Sequence, residues 1–317
     1  MRVLITGASG FIGQHVARTL QARSKPIRLV TRHHPVPSET GAEVVRLRGA
    51  GQSPEDWREA VDACDAIVHL AARAHVLKEH AANPLAVFRE ANVQFSLACA
   101  EAAIEAGVRR FVFVSSVGVH GNQTHGKPFE AHNDLAPCTP YAQSKMEAER
   151  ALTALCRSTG MELVVVRPPL VYGPRAPGNF ASLLHALQRG IPLPLGAVTA
   201  NRRSLVALDN LVDLLLTCIH HPAAAGEAFL VSDNEDLSTT DLLRRMGAAL
   251  GHPAKLVPLP PRLLHWCAAT LGKGDTALRL LGDLQVDIAH TQKTLGWAPP
   301  ISVDEGLRLA AAGTVQP

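Results

Sequence analysis

Long apolar runs are missing from this sequence: nowhere in its 317 residues does a segment approach the roughly 20 consecutive apolar residues that a membrane-spanning helix needs. The opening MRVLITGASG reaches glycine too early to supply the apolar core of a signal peptide, so a cytoplasmic protein is expected. No block of basic residues occurs either. The formal charge of +3 comes from interspersed side chains, which excludes a nucleic-acid-binding tract and leaves TRHH and NRRS to be explained locally. The six cysteines (Cys64, Cys99, Cys138, Cys156, Cys218, Cys267) stand singly, without C-x-x-C spacing or an accompanying histidine cluster. Reduced thiols and no metal site are expected. Low-complexity linkers and internal repeats are absent, and 47% hydrophobic residues against 19% charged exclude a disordered chain.

Short β-branched runs fill the first half. RVLIT, PIRLVT, EVVRL, AIVHLAA, RFVFVSS and ELVVVRP each read as a buried strand, separated by helix-length segments such as 88–106 and 141–159. Alternation of this kind predicts βαβ units, and strands that are apolar on both faces predict a parallel sheet covered by helices on both sides. The fold class expected is α/β, a Rossmann-type doubly wound sheet over 1–167, followed by a smaller substrate-binding lobe over 168–317. A later run, EAFLVS, marks a strand near 227–232 that returns to the sheet. The segment 262–272, RLLHWCAATLG, is expected to be a helix packed in the second lobe, with a peripheral membrane contact as the other reading.

The first strand runs straight into TGASGFIGQHVARTL, which places Gly7, Gly10 and Gly13, with Phe11 and Ile12 between them, in a strand-to-helix turn. Glycines there let the backbone approach a pyrophosphate, whose charge is met by amide groups at the positive end of the helix. The spacing departs from the strict G-x-G-x-x-G pattern, but its position at the first βα junction predicts dinucleotide binding. The second strand ends in Thr31, Arg32 and His33, with no acid before Glu39. A carboxylate there would hold the ribose hydroxyls of NAD, so its lack favours NADP(H), with Arg32 at the 2′-phosphate; NAD(H) stays possible.

Only two tyrosines occur, and Tyr141 has Lys145 one helical turn behind it in YAQSK. Ser115 and Ser116 end the fifth strand, at the sheet edge where open α/β folds build their sites, and Tyr141 follows 25 residues after Ser116. With TGASGFIG, HLAA at 69–72, Asn92, SSVGVHG, RPPLVYGP and LGW at 295–297, the chain resembles the extended short-chain dehydrogenase/reductase superfamily of nucleotide-sugar epimerases, dehydratases and reductases. The resemblance implies that Ser116, Tyr141 and Lys145 are catalytic: Tyr141 exchanges a proton with the substrate oxygen, Lys145 lowers the phenol's pKa and binds the nicotinamide ribose, and Ser116 hydrogen-bonds the reacting oxygen. It also implies that Leu70, Ala71, Ala72, Asn92, Pro168 and Val171 line the cofactor. Asn179, Phe180 and Arg203 would hold the diphosphate of a UDP-linked sugar, and a homodimer would form through the helices carrying Tyr141 and Asn92.

Within the superfamily, sugar dehydratases carry an Asp-Glu pair after the serine or threonine, where this chain has Val117 and Gly118; dehydration is not expected. The acid-free second strand tilts the expectation toward NADPH-dependent reduction of the C4 ketone of a UDP-4-keto-6-deoxy-N-acetylhexosamine, for surface-polysaccharide synthesis. An NAD-dependent UDP-hexose or UDP-N-acetylhexosamine 4-epimerase is the alternative, and a non-catalytic dinucleotide sensor is the rival from another class. His120 replaces the tyrosine common in VYG, and reads either as a sugar-pocket residue or as a packed histidine.

Overall fold

Seven parallel strands form the centre of the protein, seen in a computed structural model that describes residues 1–32, 41–47, 49–74, 83–270 and 274–313. The strands are β1 (Val3–Thr6), β2 (Ile27–Thr31), β3 (Glu43–Arg46), β4 (Ala66–His69), β5 (Arg110–Val114), β6 (Glu162–Arg167) and β9 (Ala228–Leu230), in the spatial order β3-β2-β1-β4-β5-β6-β9. Two further strands, β7 (Leu170–Tyr172) and β8 (Leu205–Ala207), pair with each other outside this sheet. The helices are α1 (Phe11–Ala22), α2 (Arg58–Val61), α3 (Pro84–Arg89), α4 (Phe95–Glu105), α5 (Pro140–Thr159), α6 (Asn179–Gln188), α7 (Leu208–His220), α8 (Thr239–Ala249), α9 (Pro261–Thr270), α10 (Gly274–Leu281), α11 (Ala289–Leu295) and α12 (Val303–Ala312). This is the doubly wound Rossmann-type arrangement that the alternating pattern predicts.

The two faces of the sheet divide the strand residues by period two. Val3 and Ile5, Val112 and Val114, and Val164 and Val166 face one core with α1 and α7. Leu4, Ile67, Phe111, Phe113, Leu163 and Val165 face the other, where Trp57, α4 and α5 close over them. A third core joins Tyr172, Phe180 and Leu184 to residues of α8 and α12.

Two local features set the site. Thr139 caps α5, its Oγ1 accepting the Ala142 amide at 3.2 Å with Pro140 at the first helical position, so Tyr141 falls in the opening turn. Between α3 and α4 the chain makes one π-helical turn, Glu90–Gln94, whose extra residue carries the buried Asn92.

The segment 262–272 departs from expectation over the residues described. Helix α9 has no buried residue; Leu264 turns toward the third core, while Leu263 and Trp266, three apart on the other face, are 44% and 65% exposed. Its inward stripe is too narrow to take every apolar side chain that the sequence supplies. Residues 271 and 272, like His33 and Glu39, lie outside the described residues. No helix among the described residues is long and apolar enough to cross a membrane.

Candidate active site

The carboxyl ends of β1, β4, β5 and β6 converge on one edge of the sheet. At β1, Gly7 adopts a φ of 68°, and a Cβ there would lie 2.8 Å from the Ala71 amide nitrogen and 2.9 Å from the Leu70 carbonyl carbon. Gly13 is more constrained still, because a Cβ would stand within contact of the Gly7 carbonyl. Gly10 is the N-cap of α1 and offers no side chain to its first-turn amides, which leaves a concave, amide-lined helix end suited to an anion such as a pyrophosphate. Phe11, Ile12, Leu70 and Val171 are half-buried at the rim of the adjoining core. Phe11 approaches Gly173, just beyond Val171. Pro168 accepts the Val117 amide at 2.9 Å, bringing the end of β6 against the turn after Ser116. Arg32, just past β2, is exposed, with its guanidinium 4.8 Å from the centre of the Phe95 ring.

Ser116 caps the short 3-10 turn Val117–Val119, its Oγ accepting the Gly118 amide at 3.1 Å. One lone pair is thereby used, and the hydroxyl proton is left to donate. Gly118 packs toward Ala142, so this turn lies against the first turn of α5. Tyr141 is half-buried there, edge-on to Phe88 with ring centres 6.1 Å apart. Burial pushes its pKa up to about 12. Lys145 is buried; its Nζ donates to the Val114 carbonyl at 2.8 Å and sits 4.5 Å from the centre of the Phe113 ring. Burial pulls its pKa down to about 7, partly offset by Glu149 one turn further along α5. The expected lowering of the phenol's pKa by Lys145 is thus not expressed in this arrangement, since desolvation dominates both groups.

Behind the pair runs a buried polar chain that the sequence did not disclose. His69 is kept neutral, its pKa pulled down to about 3 by burial and then by Lys145. Ser96 donates to the Asn92 carbonyl at 2.7 Å, so at 3.0 Å from His69 Nε2 it must accept, which makes Nε2 the protonated nitrogen. His69 Nδ1 then accepts from Thr6 Oγ1 at 3.2 Å, and Thr6 in turn accepts the Leu70 and Ala71 amides, both at 3.1 Å. Asn92 exchanges hydrogen bonds with the main chain of Arg73 at 2.8 and 3.2 Å and donates to Ser144 at 2.9 Å. Ser144 donates to the Tyr141 carbonyl at 2.8 Å, so the chain ends on the main chain of the helix that bears the phenol. Thr6, His69 and Ser144 were visible inside TGASGFIG, HLAA and YAQSK; nothing marked Ser96.

His120 turns out to be packed. It lies under Phe129, ring centres 5.4 Å apart, and accepts from Arg167 at 3.1 Å. Arg167 also grips Glu149 through Nη2 at 2.7 Å and donates to the Ala131 carbonyl at 2.8 Å. Burial, then the neighbouring Arg167 charge, pulls the pKa of His120 down to about 4.

The other predicted residues follow β7 in the chain. Asn179 opens α6 after Gly178, whose φ is 74°. The Phe180 side chain is buried against Tyr172 in the third core, so only its main chain is free to serve a ligand. Arg203 is pinned through its main chain between Leu237 and Leu284, with Nη1 donating to the Gly282 carbonyl at 3.0 Å. Its pKa falls to about 10 from burial, offset in part by the Asp283 carboxylate, with Arg279 on α10 adding a like charge nearby. Arg279 had no motif to announce it.

Comparison with known proteins gives a consistent result. The profile of the "NAD dependent epimerase/dehydratase family" matches residues 3–232. A UDP-glucose 4-epimerase of Vibrio cholerae is 42% identical over 319 residues, spanning 99% of this chain and 95% of that protein. An N-acetyl-alpha-D-glucosaminyl-diphospho-ditrans,octacis-undecaprenol 4-epimerase of Escherichia coli O157:H7 is 30% identical over 278 residues, covering 86% of this chain and 80% of its own. Among solved structures, UDP-glucose 4-epimerase of Thermotoga maritima with UDP-glucose superposes with a TM-score of 0.78 at 24% identity, over 99% of this chain and 98% of that one, which shows the shared fold.

Proposed function

Since the chain belongs to the NAD dependent epimerase/dehydratase family, we propose that it is a nucleotide-sugar 4-epimerase that inverts C4 of a UDP-linked hexose or N-acetylhexosamine. The observation that carries this reading is the 42% identity to a UDP-glucose 4-epimerase along nearly the whole chain. It displaces the ketoreductase expectation, which rested on the acid-free end of β2. The family's own description names NAD, and this supports NAD as the cofactor.

The uncapped α1 terminus and the glycine turn fit a dinucleotide: Gly7, Gly10 and Gly13 give the pyrophosphate backbone-close access, with Phe11, Ile12, Leu70, Ala71, Ala72, Asn92, Pro168 and Val171 around it. When bound, NAD supplies the carbon that takes up the C4 hydride and gives it back. As phenolate, the form that protonated Lys145 and the positive charge of an oxidised nicotinamide would favour, Tyr141 removes the proton of the C4 hydroxyl as the ketone forms and returns it to the oxygen as the alcohol is remade. Ser116 donates its hydroxyl proton to the same oxygen. Lys145, held by Val114, supplies positive charge beside the phenol in its protonated form. Asn179, the Phe180 main chain and Arg203 grip the diphosphate, and Arg279 adds charge of the same sign. Strong anchoring at the diphosphate leaves the hexose free to turn over between the two half-reactions, so that both faces of C4 are presented. A cytoplasmic homodimer through α4 and α5 belongs to the same proposal, tested by light scattering of the purified chain.

Incubation with UDP-glucose or UDP-N-acetylglucosamine, with no added reductant, should yield the C4 epimer with no net oxidation or reduction of cofactor. One-to-one consumption of NADPH with a 4-keto-sugar, and no epimer from either substrate, would reinstate the reductase.

A further inference from the structure

Three side chains with no part in the proposed reaction meet beyond the outer edge of the sheet. His132 comes from the segment between β5 and α5, Glu227 from the residue before β9, and His290 from α11, and one ligand atom of each lies within 4.8 Å of the other two. His290 Nε2 is 3.1 Å from Glu227 Oε2, and the two imidazole rings meet edge to face with centres 4.5 Å apart. We infer that this cluster is a transition-metal site of the zinc type, with two imidazoles and one carboxylate as protein ligands and a remaining position open to water.

The donor set selects the class of ion: imidazole with a single carboxylate suits zinc and its neighbours, whereas magnesium and calcium take sites built almost wholly from oxygen. Bonds of about 2.0–2.1 Å to tetrahedral zinc place ligand atoms about 3.4 Å apart, close to the His290–Glu227 separation. His132 is exposed and needs to swing by only on the order of an ångström to complete the set, and its exposure also gives the ion a way in. An ion pair accounts for His290 and Glu227; it does not account for a second imidazole set against them.

The supporting framework is already assembled. Phe129 and Val286 form a parallel bridge, with Phe129 donating to the Gln285 carbonyl at 2.9 Å and Asp287 to the Phe129 carbonyl at 2.8 Å. His132 lies three residues past one side of this bridge and His290 four past the other. The Asn133 side chain closes the turn around His132 by accepting the Glu130 amide at 2.7 Å. Thr291 fastens α11 to β9 through the Leu230 carbonyl at 2.6 Å, and Phe229 stacks on the His290 ring. The second nitrogen of His290 faces the Thr294 hydroxyl at 3.4 Å, in the place where metal-bound imidazoles usually meet an orienting partner. An ion bound here would pin the segment between Ser116 and Tyr141 to the edge of the sheet, one residue from the Ala131 carbonyl that Arg167 holds.

The test uses the full chain, stripped of metal by chelation, and titrates zinc(II) by calorimetry, with cobalt(II) as a coloured substitute. One zinc per chain, a cobalt visible spectrum of low coordination number, and a raised unfolding temperature are expected. His132→Ala and Glu227→Gln should each weaken binding by at least about tenfold, while both variants remain folded by circular dichroism. Absence of stoichiometric binding to the wild-type chain, or equal binding by the wild type and His132→Ala, would overturn the assignment, the latter by placing the metal on other surface histidines.

Discussion

Burial raises the pKa of Tyr141 to about 12, and Lys145 beside it on α5 is pulled down to about 7 by the same dry surroundings. Tyr141→Phe removes the exchangeable proton but keeps the ring against Phe88, so turnover should fall by about 10²–10⁴-fold with cofactor affinity nearly unchanged. Single-turnover epimerisation beside a cofactor titration checks both halves, and a variant with near-normal turnover would remove Tyr141 from the chemistry. Lys145 also writes a sign into stability. Its folded pKa lies below the ordinary lysine value of 10.5, so between about pH 7 and 10.5 the unfolded chain binds the extra proton, and this group's contribution becomes more stabilising as pH rises through that window. Below about pH 7 both states are charged, and the full burial penalty remains. Lys145→Met should abolish that rise, seen as a loss of the pH-dependent difference between urea melts at pH 7 and pH 9.5; parallel pH dependence in the two proteins would contradict it. The proposed catalytic pattern was visible because its spacing is local: a turn of helix for Tyr141 and Lys145, and a strand end for Ser116. His132, Glu227 and His290 escaped notice because the chain brings them together from three distant segments, and no spacing rule covers that.

At the level of single elements, the π-helical turn Glu90–Gln94 holds the site together. Its extra residue sets the register between α3, which places Phe88 against Tyr141 and Arg89 on Glu147 at 2.7 Å, and α4, whose apolar face fills the core. Deleting Val93 would restore an uninterrupted α-helix and rotate the preceding segment by about 100° relative to α4. The expected result is retained helical circular dichroism with activity lost at least as severely as in Asn92→Ala; full activity in the deletion variant would mean that the register is dispensable. Asn92 stood out in the sequence through family resemblance alone, and the π turn carried no sign, since propensity does not distinguish it from α-helix. The strands were legible for the opposite reason: burial on both faces makes them continuously apolar, as RFVFV in β5 shows. Helix α9 was expected to be packed, and it packs through Leu264 while Leu263 and Trp266 stay exposed, because apolar composition says how much surface could be buried and not how much finds a partner.

Across the whole molecule, the expected division at residues 167 and 168 is best proposed as a boundary of function. The chain leaves the sheet after β6, builds β7, α6, β8 and α7, and returns as β9 to pair with β6 from Val165 to Arg167. Helix α7 lays Leu211, Leu214, Leu215 and Cys218 on the same core as β1, and Arg110 of β5 caps its end through the carbonyls of Cys218, Ile219 and His221 at 2.7–3.2 Å. A fragment of residues 1–167 should therefore fail to fold, giving a collapsed amide NMR spectrum, while the full chain unfolds in one transition; a well-dispersed spectrum from the fragment would refute this. The late return of β9 also has a meaning in time. A ribosome delivers the first six strands of the sheet, then must add roughly 60 more residues before α7 and β9 exist, an interval of roughly 3–12 s at about 5–20 residues per second. For that interval an apolar face and an unpaired strand edge are open on the nascent chain, so the yield of soluble protein should depend on how fast residues 168–230 are translated.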